Sequence, residues 1–429
     1  MTVTRVEEQA RKARQAGLRL AAVSSALKDR ALAAIADNLQ AKQRVICAEN
    51  ERDKHEAEAN GLSASLAKRL ALDETKLDQL TDSVKKVAGL EDPVGKNLLR
   101  RELDRGLVLH KVSVPIGVVG VIFESRPDVL VQVSSLCLKS GNAAILKGGS
   151  EAFSTSKVLF EAVYEALEST SPVFQDCLQL VSTREDVKTL LEMDKYVDLI
   201  IPRGSAKLVS WIQANTRIPV LGHSEGVCHL YIDREADLEL AVKLTYDAKC
   251  QYPAVCNAIE TLLVDRSIAQ RFLPAMAEAL RGVELRADAP AREIISATAA
   301  TDSDWTSEYN DLILSVRMVS GAKEAIEHIN RFGSRHTDAI VTANEVTASE
   351  FMDGVDSGSV MWNCSTRFAD GYRYGFGAEV GIATGKLHAR GPVGLDGLTT
   401  FKYKLVGHGQ IVADYVEGKR AFRHKDLSP

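Results

Sequence analysis

A cysteine that follows a proline-containing loop and opens onto a β-rich stretch is placed for nucleophilic chemistry, and Cys256 stands so in YPAVCNAIETLLV, Tyr252 to Val264. At such a junction backbone N–H groups can be aimed at the sulfur. A free thiol has a pKa of about 8.5, so only a few per cent is thiolate at neutral pH unless a positive field lowers that value. Cysteine is equally a small core hydrophobe, and Cys47, Cys137, Cys177, Cys228, Cys250 and Cys364 read that way. The set is odd in number and scattered, without a CxxC pair or a Cys/His spacing typical of zinc, so reduced thiols and no metal are expected.

Two further runs suit a phosphate-bearing ligand. VDLIIP ends in Pro202-Arg203-Gly204-Ser205 and a helix begins at Ser205 or Ala206, where free N–H groups favour an anion. AAILK ends in Lys147-Gly148-Gly149-Ser150, an ammonium, two glycines and a hydroxyl past the carboxyl end of a strand, where open α/β sheets bind nucleotides. Either run alone is also an ordinary tight turn and N-cap. Together, on what read as neighbouring strands, they favour a dinucleotide. No GxGxxG follows the first strand, so binding differs from the usual dehydrogenase fingerprint.

These residues need elements to hold them. From Val6 to about Leu90 apolar residues recur every three or four positions, a helical layer in which Leu32, Ile35 and Leu39 share one stripe. At Asp104 the texture turns β-branched, and Pro115 with Gly117 breaks GLVLHKVSVPIGVVGVIFE into two strands. A helix over Pro127 to Lys139 leads to the strand Ala143 to Gly148. A helix near Thr155 to Leu167, the strand Leu178 to Ser182, the helix REDVKTLLEM, the strand Val197 to Pro202, the helix SAKLVSWIQANT and the strand PVLGH follow. This alternation predicts a parallel, doubly wound sheet. The rhythm restarts near Ala241 and runs to about Leu387, a second α/β domain, and GLTTFKYKLVGHGQIVADYV carries an alternating strand suited to a sheet edge.

The whole chain sets limits on these readings. Its 429 residues, 45% hydrophobic, suffice for two or three domains with a cleft. A net charge of -5 from 53 basic and 58 acidic residues, well mixed, supplies no basic stripe and excludes nucleic acid as an expected partner. The N-terminus alternates charges where a secretory signal needs an apolar core, and no stretch of about 18 apolar residues occurs, so a soluble, cytoplasmic protein without membrane contact is expected.

The run around Cys256 resembles the nucleophile segment of the γ-glutamyl phosphate reductase family, which belongs to the aldehyde dehydrogenase superfamily. HINRFGSRHTDAIVT (His328 to Thr342) and the block from Asn363 to Thr400 resemble its signature runs. VPIGVVGVIFESRPDV, SGNAAILKGGSE, DLIIPRGS and PVLGHSEGVCHLYID match in order, so the likeness runs from about residue 5 to 425. It implies an aldehyde-dehydrogenase-like α/β fold: an NADP-binding domain over residues 1–102 and 115–240, a catalytic domain over 241–396, a protruding oligomerisation β-flap over 103–114 and 397–412, and a tail over 413–429. It also implies the reductase module alone, without a preceding kinase-like domain, and a homo-oligomer.

The resemblance implies that Cys256 attacks the acyl carbon of glutamyl 5-phosphate and expels phosphate, that the thioester accepts hydride from NADPH, and that the hemithioacetal collapses to glutamate 5-semialdehyde in the second step of proline biosynthesis. No water attack is needed, so a general base for water is dispensable. PVLGHSEG indeed replaces the Glu-Leu-Gly-Gly stretch that supplies this base in hydrolytic relatives, with Glu225 nearby as a solvated loop carboxylate. Oxyanion donors are expected from the N–H of Cys256 and the side chain of Asn257. Ser125 and Arg126, where hydrolytic relatives carry an Asn, are expected at the substrate's phosphate, and Arg367 at its α-carboxylate. Glu308 is expected to hold the nicotinamide ribose. Lys147 is expected at the adenosine ribose and its 2′-phosphate, with Gly148, Gly149, Ser150, Arg203, Gly204 and Ser205 around the NADP.

The instability of acyl phosphates adds an expected transient contact with glutamate 5-kinase. Two other readings compete: a hydrolytic aldehyde dehydrogenase, against which the missing Glu stretch argues, and a catalytically silent partner, against which the joint presence of Cys256, Lys147 and Gly204-Ser205 argues.

Overall fold

A computed structural model describes residues 4–62, 67, 69–386 and 389–428. The chain divides into two compact units, one formed by residues up to Leu221 together with those from Gly394 onward, the other by Gly222–Val393.

In the first unit, the helices Arg5–Leu20, Ser25–Ala41, Gln43–Ala59 and Glu74–Ala88 form the expected layer. Leu32, Ile35 and Leu39 are fully buried, as their stripe predicts. A parallel sheet carries the strands in the order Leu178–Leu180, Ala143–Lys147, Val118–Phe123, Leu199–Arg203. Val118–Phe123 is buried along its whole length, the pattern of a strand covered on both faces. The strands ending in Lys147 and Arg203 are therefore not neighbours: Val118–Phe123 lies between them, and Glu124 and Ser125 follow directly on its end.

PVLGH does not form a full strand. Val220 makes one parallel bridge to Ile200, with the Ile200 N–H donating to the Pro219 carbonyl and the Leu221 N–H to the Ile200 carbonyl. Proline has no N–H to extend the ladder, and at Gly222 the chain passes into the second unit. The change of unit thus comes earlier than the expected boundary at Ala241, because the strand Cys228–Ile232 belongs to the second unit's sheet.

A separate antiparallel sheet in the first unit has the order Thr399–Val406, Leu107–Pro115, Asn97–Asp104, Lys425–Leu427. It is larger than the expected flap. The polar strand Asn97–Asp104 lacks the β-branched density that marked its neighbour, and the expected tail returns as a fourth strand. Asp104 ties that tail down, accepting from the Tyr415 hydroxyl at 3.0 Å and from Arg420 Nε at 2.8 Å.

The second unit is built on an all-parallel sheet with the order Thr298–Ala299, Glu284–Ala287, Ile313–Val319, Ile259–Asp265, Cys228–Ile232, Thr337–Val341, Ser359–Trp362. Ile259–Asp265 is wholly buried, and Leu262, Val264, Leu230, Phe272 and Met276 share its main core. Among the described residues no helix is long and apolar enough to cross a membrane.

Candidate active site

The loop that carries Cys256 joins the helix Leu238–Cys250 to the buried strand Ile259–Asp265. A turn closes it, with the Ala258 N–H donating to the Val255 carbonyl at 2.9 Å. The Cys228 thiol donates to the Cys256 carbonyl at 3.1 Å, and burial raises the Cys228 pKa well above the usual thiol value, so that group stays a protonated donor. Gly226 packs directly on the Cys256 backbone: a Cβ there would run into the Cys256 carbonyl oxygen and stand 2.6 Å from its Cα. Cys256 itself is half-buried.

Two histidines that sequence reasoning did not single out flank the sulfur. One nitrogen of His223, one of His336 and the Cys256 Sγ all lie within 4.8 Å of one another. The two rings meet edge to face, 4.8 Å between centroids at 77°. His223 Nδ1 stands 2.9 Å from the Ile382 carbonyl. A carbonyl only accepts, so Nδ1 carries a proton in this contact. His336 is fully buried, and burial holds its pKa well below the ordinary histidine value, with His223 adding to the effect. Its segment is pinned where Ser334 Oγ accepts from the Val227 N–H at 2.8 Å. Both histidines lie in runs that carried the family resemblance, yet residues 223, 256 and 336 share no spacing that would link them.

The other expected residues of this unit fall as follows. Arg367 is buried, donates from Nε to Gln251 Oε1 at 3.1 Å, and among the described residues forms no ion pair. Burial and Arg373 lower its pKa, while Cys256 acts in the opposite direction, which places the guanidinium in the sulfur's field. The Asn257 side chain is buried and its Nδ2 donates to the Ala369 carbonyl at 2.9 Å, which joins the Cys256 loop to the turn at Thr366–Phe368. Glu308 is half-buried. Burial raises its pKa, with the Gly226 N–H and the Asn310 side chain opposing, so one glycine touches both the Cys256 backbone and this carboxylate. Glu225 is exposed, as a solvated carboxylate should be. Behind the loop, Lys249 and Glu260 form a buried ion pair at 2.6 Å.

In the first unit the expected cofactor residues gather at carboxyl ends of the parallel strands. Lys147 is half-buried; burial lowers its pKa and the carboxylates of Glu151 and Glu124 oppose this. A Cβ on Gly148 would stand 2.8 Å from Ser156 Oγ and one on Gly204 would stand 2.6 Å from Glu124 Oε2, so a larger residue at either position would displace a neighbouring side chain. Ser156 Oγ has no hydrogen-bond partner among the described residues. Ser205 caps the helix Ala206–Ala214, and its N–H donates to Glu124 at 2.9 Å, so a carboxylate already uses part of the expected phosphate cradle. Glu124 was missed; its position directly after a strand end was the available signal.

Ser125 and Arg126 follow the end of the same strand. The Ser125 N–H and Oγ both donate to Glu151 Oε1, at 2.6 and 2.8 Å, with Ser125 in left-handed backbone at φ 49°. Arg126 pairs with Asp128 at 3.0 Å.

The aldehyde dehydrogenase family model matches residues 1–305. A γ-glutamyl phosphate reductase of Pelotomaculum thermopropionicum is 53% identical over 425 residues, covering 99% of this chain and 98% of its own. The crystal structure of a γ-glutamyl phosphate reductase from Thermotoga maritima superposes with a TM-score of 0.93 at 39% identity, over 95% of this chain and 100% of that one. An acetylating aldehyde dehydrogenase from Geobacillus thermoglucosidasius, 16% identical, shares the fold with a TM-score of 0.65 over 95% of this chain and 97% of that one. The chain accordingly belongs to the aldehyde dehydrogenase family and, within it, to the γ-glutamyl phosphate reductases.

Proposed function

We propose that this chain reduces L-glutamyl 5-phosphate to L-glutamate 5-semialdehyde and phosphate with NADPH, through a Cys256 thioester, as the second step of proline biosynthesis from glutamate. The observation that carries the reading is the placing of Cys256 beside two imidazoles and a buried Arg367 guanidinium that forms no ion pair among the described residues. His223 Nε2 takes the thiol proton. The Sγ lone pair then forms the bond to the acyl carbon, and the carbon–oxygen bond to phosphate breaks with its electrons leaving on phosphate. NADPH, held by the cradle residues, would supply the hydride that reduces the thioester carbon to the hemithioacetal. When the hemithioacetal oxygen re-forms its carbonyl, the C–S bond breaks and the thiolate regains its proton from His223. Arg367 pairs with the substrate's α-carboxylate, and its burial strengthens that contact.

The reading of these residues as a dinucleotide cradle is supported by Ser156 Oγ, a buried polar atom without a hydrogen-bond partner among the described residues, and by Lys147 as the cation for a 2′-phosphate, with Gly148 and Gly204 as backbone beside them. Ser150 and Arg203 complete this group, and Glu308 holds the nicotinamide ribose. Lys147→Ala should lower the kcat/KM ratio of NADPH to NADH about tenfold; an unchanged ratio removes Lys147 from 2′-phosphate recognition. A transient contact with glutamate 5-kinase belongs to the same reading, because acyl phosphates hydrolyse in free solution. Complete trapping of the intermediate by hydroxylamine in a mixture of the two enzymes would remove it.

The deciding experiment runs the reaction backward, with glutamate semialdehyde and NADP, with and without phosphate, on wild type and Cys256→Ala. NADPH formation that needs phosphate and vanishes in the variant is expected. Formation without phosphate means hydrolytic chemistry, and none under any condition removes the enzymatic reading.

A further inference from the structure

The sulfur and the two imidazoles also make a donor set for a soft divalent cation, a use that acyl transfer does not require. One nitrogen of His223, one of His336 and the Cys256 Sγ lie within 4.8 Å of one another. On a tetrahedral zinc with bonds of about 2.0 to 2.3 Å such atoms stand about 3.3 to 3.8 Å apart, so a closure of about 1 Å brings all three onto one ion. A thiolate with two imidazoles selects zinc over magnesium or calcium, which take oxygen donors.

The surroundings of each imidazole are those of a ligand. Outer hydrogen bonds orient metal-bound histidines and fix their tautomer, and the His223 Nδ1–H makes one to the Ile382 carbonyl at 2.9 Å. His336 Nδ1 stands 2.9 Å from Thr337 Oγ1. Its Nε2, in a fully buried side chain, has no hydrogen-bond partner among the described residues. Placing the ring proton on Nδ1, where an acceptor exists, leaves Nε2 as a buried bare lone pair. An unused polar atom of that kind calls for an explanation, and a cation held between the rings supplies one.

We propose that His223, Cys256 and His336 form a reversible inhibitory site for Zn2+. Three protein ligands leave the fourth tetrahedral position to water, the arrangement of open, exchangeable sites and not of closed structural ones. A zinc-bound thiolate gives one lone pair and part of its charge to the metal and is a weaker nucleophile toward the acyl carbon, so metal and substrate compete for the sulfur. The binding half of the proposal stands on geometry alone; the inhibitory half rests on Cys256 being the nucleophile.

Cobalt(II) tests the two separately. Added to the reduced, chelator-treated full chain, one equivalent should produce a thiolate-to-cobalt charge-transfer band and the intense visible bands of a tetrahedral ion, both displaced by Zn2+. The charge-transfer band should vanish in Cys256→Ala, and the apparent affinity should fall at least tenfold in His336→Ala. His223→Gln, at a half-buried loop position, should give the same fall and guards against a folding defect in the first histidine variant. Zn2+ should abolish turnover, and a chelator should restore it. No band at one equivalent, or a band that survives in Cys256→Ala or keeps its affinity in His223→Gln, overturns the site. A normal cobalt spectrum in a protein whose Cys256→Ala variant keeps its activity would overturn the inhibition and the nucleophile assignment together.

Discussion

At the scale of single residues, Cys256 has little freedom to adjust. Gly226→Ala would place a methyl group on the Cys256 backbone, and misplacing a reacting group by about 1 Å can cost about a hundredfold in rate. We expect kcat for semialdehyde oxidation to fall by about that factor while the fold, followed by circular dichroism, persists. Variant activity within twofold of wild type would show that the loop relaxes around the methyl. His223 gives a second expectation. Without its Nε2 the thiol must ionise unaided, so His223→Gln should lower kcat about 10²- to 10⁴-fold and move the acid limb of the pH profile up toward about 8.5, the value of a free thiol. A uniform loss with no shift of the limb would reduce His223 to a positioning residue.

At the scale of elements, the helix Leu238–Cys250 and the strand Ile259–Asp265 hold the two ends of the Cys256 loop, and the buried Lys249–Glu260 pair joins them. Breaking such a pair from one side leaves a charge in the interior and costs about 3 to 5 kcal/mol. Lys249→Met should therefore unfold at markedly lower denaturant, and a midpoint equal to wild type would show that Glu260 simply takes up a proton. Burial, opposed by Lys249, raises the Glu260 pKa to about 7. A carboxyl group raised above its unfolded value of about 4.3 binds its proton more tightly when folded. Its contribution is fully present below pH of about 4.3 and is lost as pH climbs through about 7. The melting temperature of wild type should thus decline relative to Glu260→Gln between those limits, and parallel curves would refute this.

At the scale of the whole molecule, the strand Thr399–Val406 lies at the edge of its sheet and presents Phe401, Tyr403 and Leu405 to solvent at 44%, 60% and 56% exposure. These three alternate with Lys402 and Lys404, so one face of the strand is apolar and the other charged. An unpaired edge with an apolar face favours a second strand, and we propose a second copy of this chain as its partner. Exposed substitutions away from special features shift stability by about 0.5 kcal/mol or less, so Tyr403→Glu combined with Leu405→Glu should lower the mass seen by light scattering while leaving the melting of the individual chain nearly unchanged. An unaltered mass in the double variant would place the assembly surface elsewhere.

Much of this protein is settled by local pattern. The stripe of Leu32, Ile35 and Leu39, the β-branched run broken at Pro115 and Gly117, and the alternation of strands with helices are read over a few residues, because helix and strand periodicity and the conformational limits of Pro and Gly act at that range. Cys256 was legible as a candidate nucleophile through its segment and its resemblance to a family. Other features required the folded chain. Strand order put Val118–Phe123 between the strands that end in Lys147 and Arg203 and brought Glu124 to the cradle. Long-range contact gave the Asn257 amide to Ala369 and paired Ser125 with Glu151. The setting of His223 and His336 about Cys256 is of the same kind: these residues meet only because the parallel strands Cys228–Ile232, Ile259–Asp265 and Thr337–Val341 lie side by side. Periodicity along a chain carries no record of such meetings, since sheet register and order are decided by burial across segments far apart in sequence.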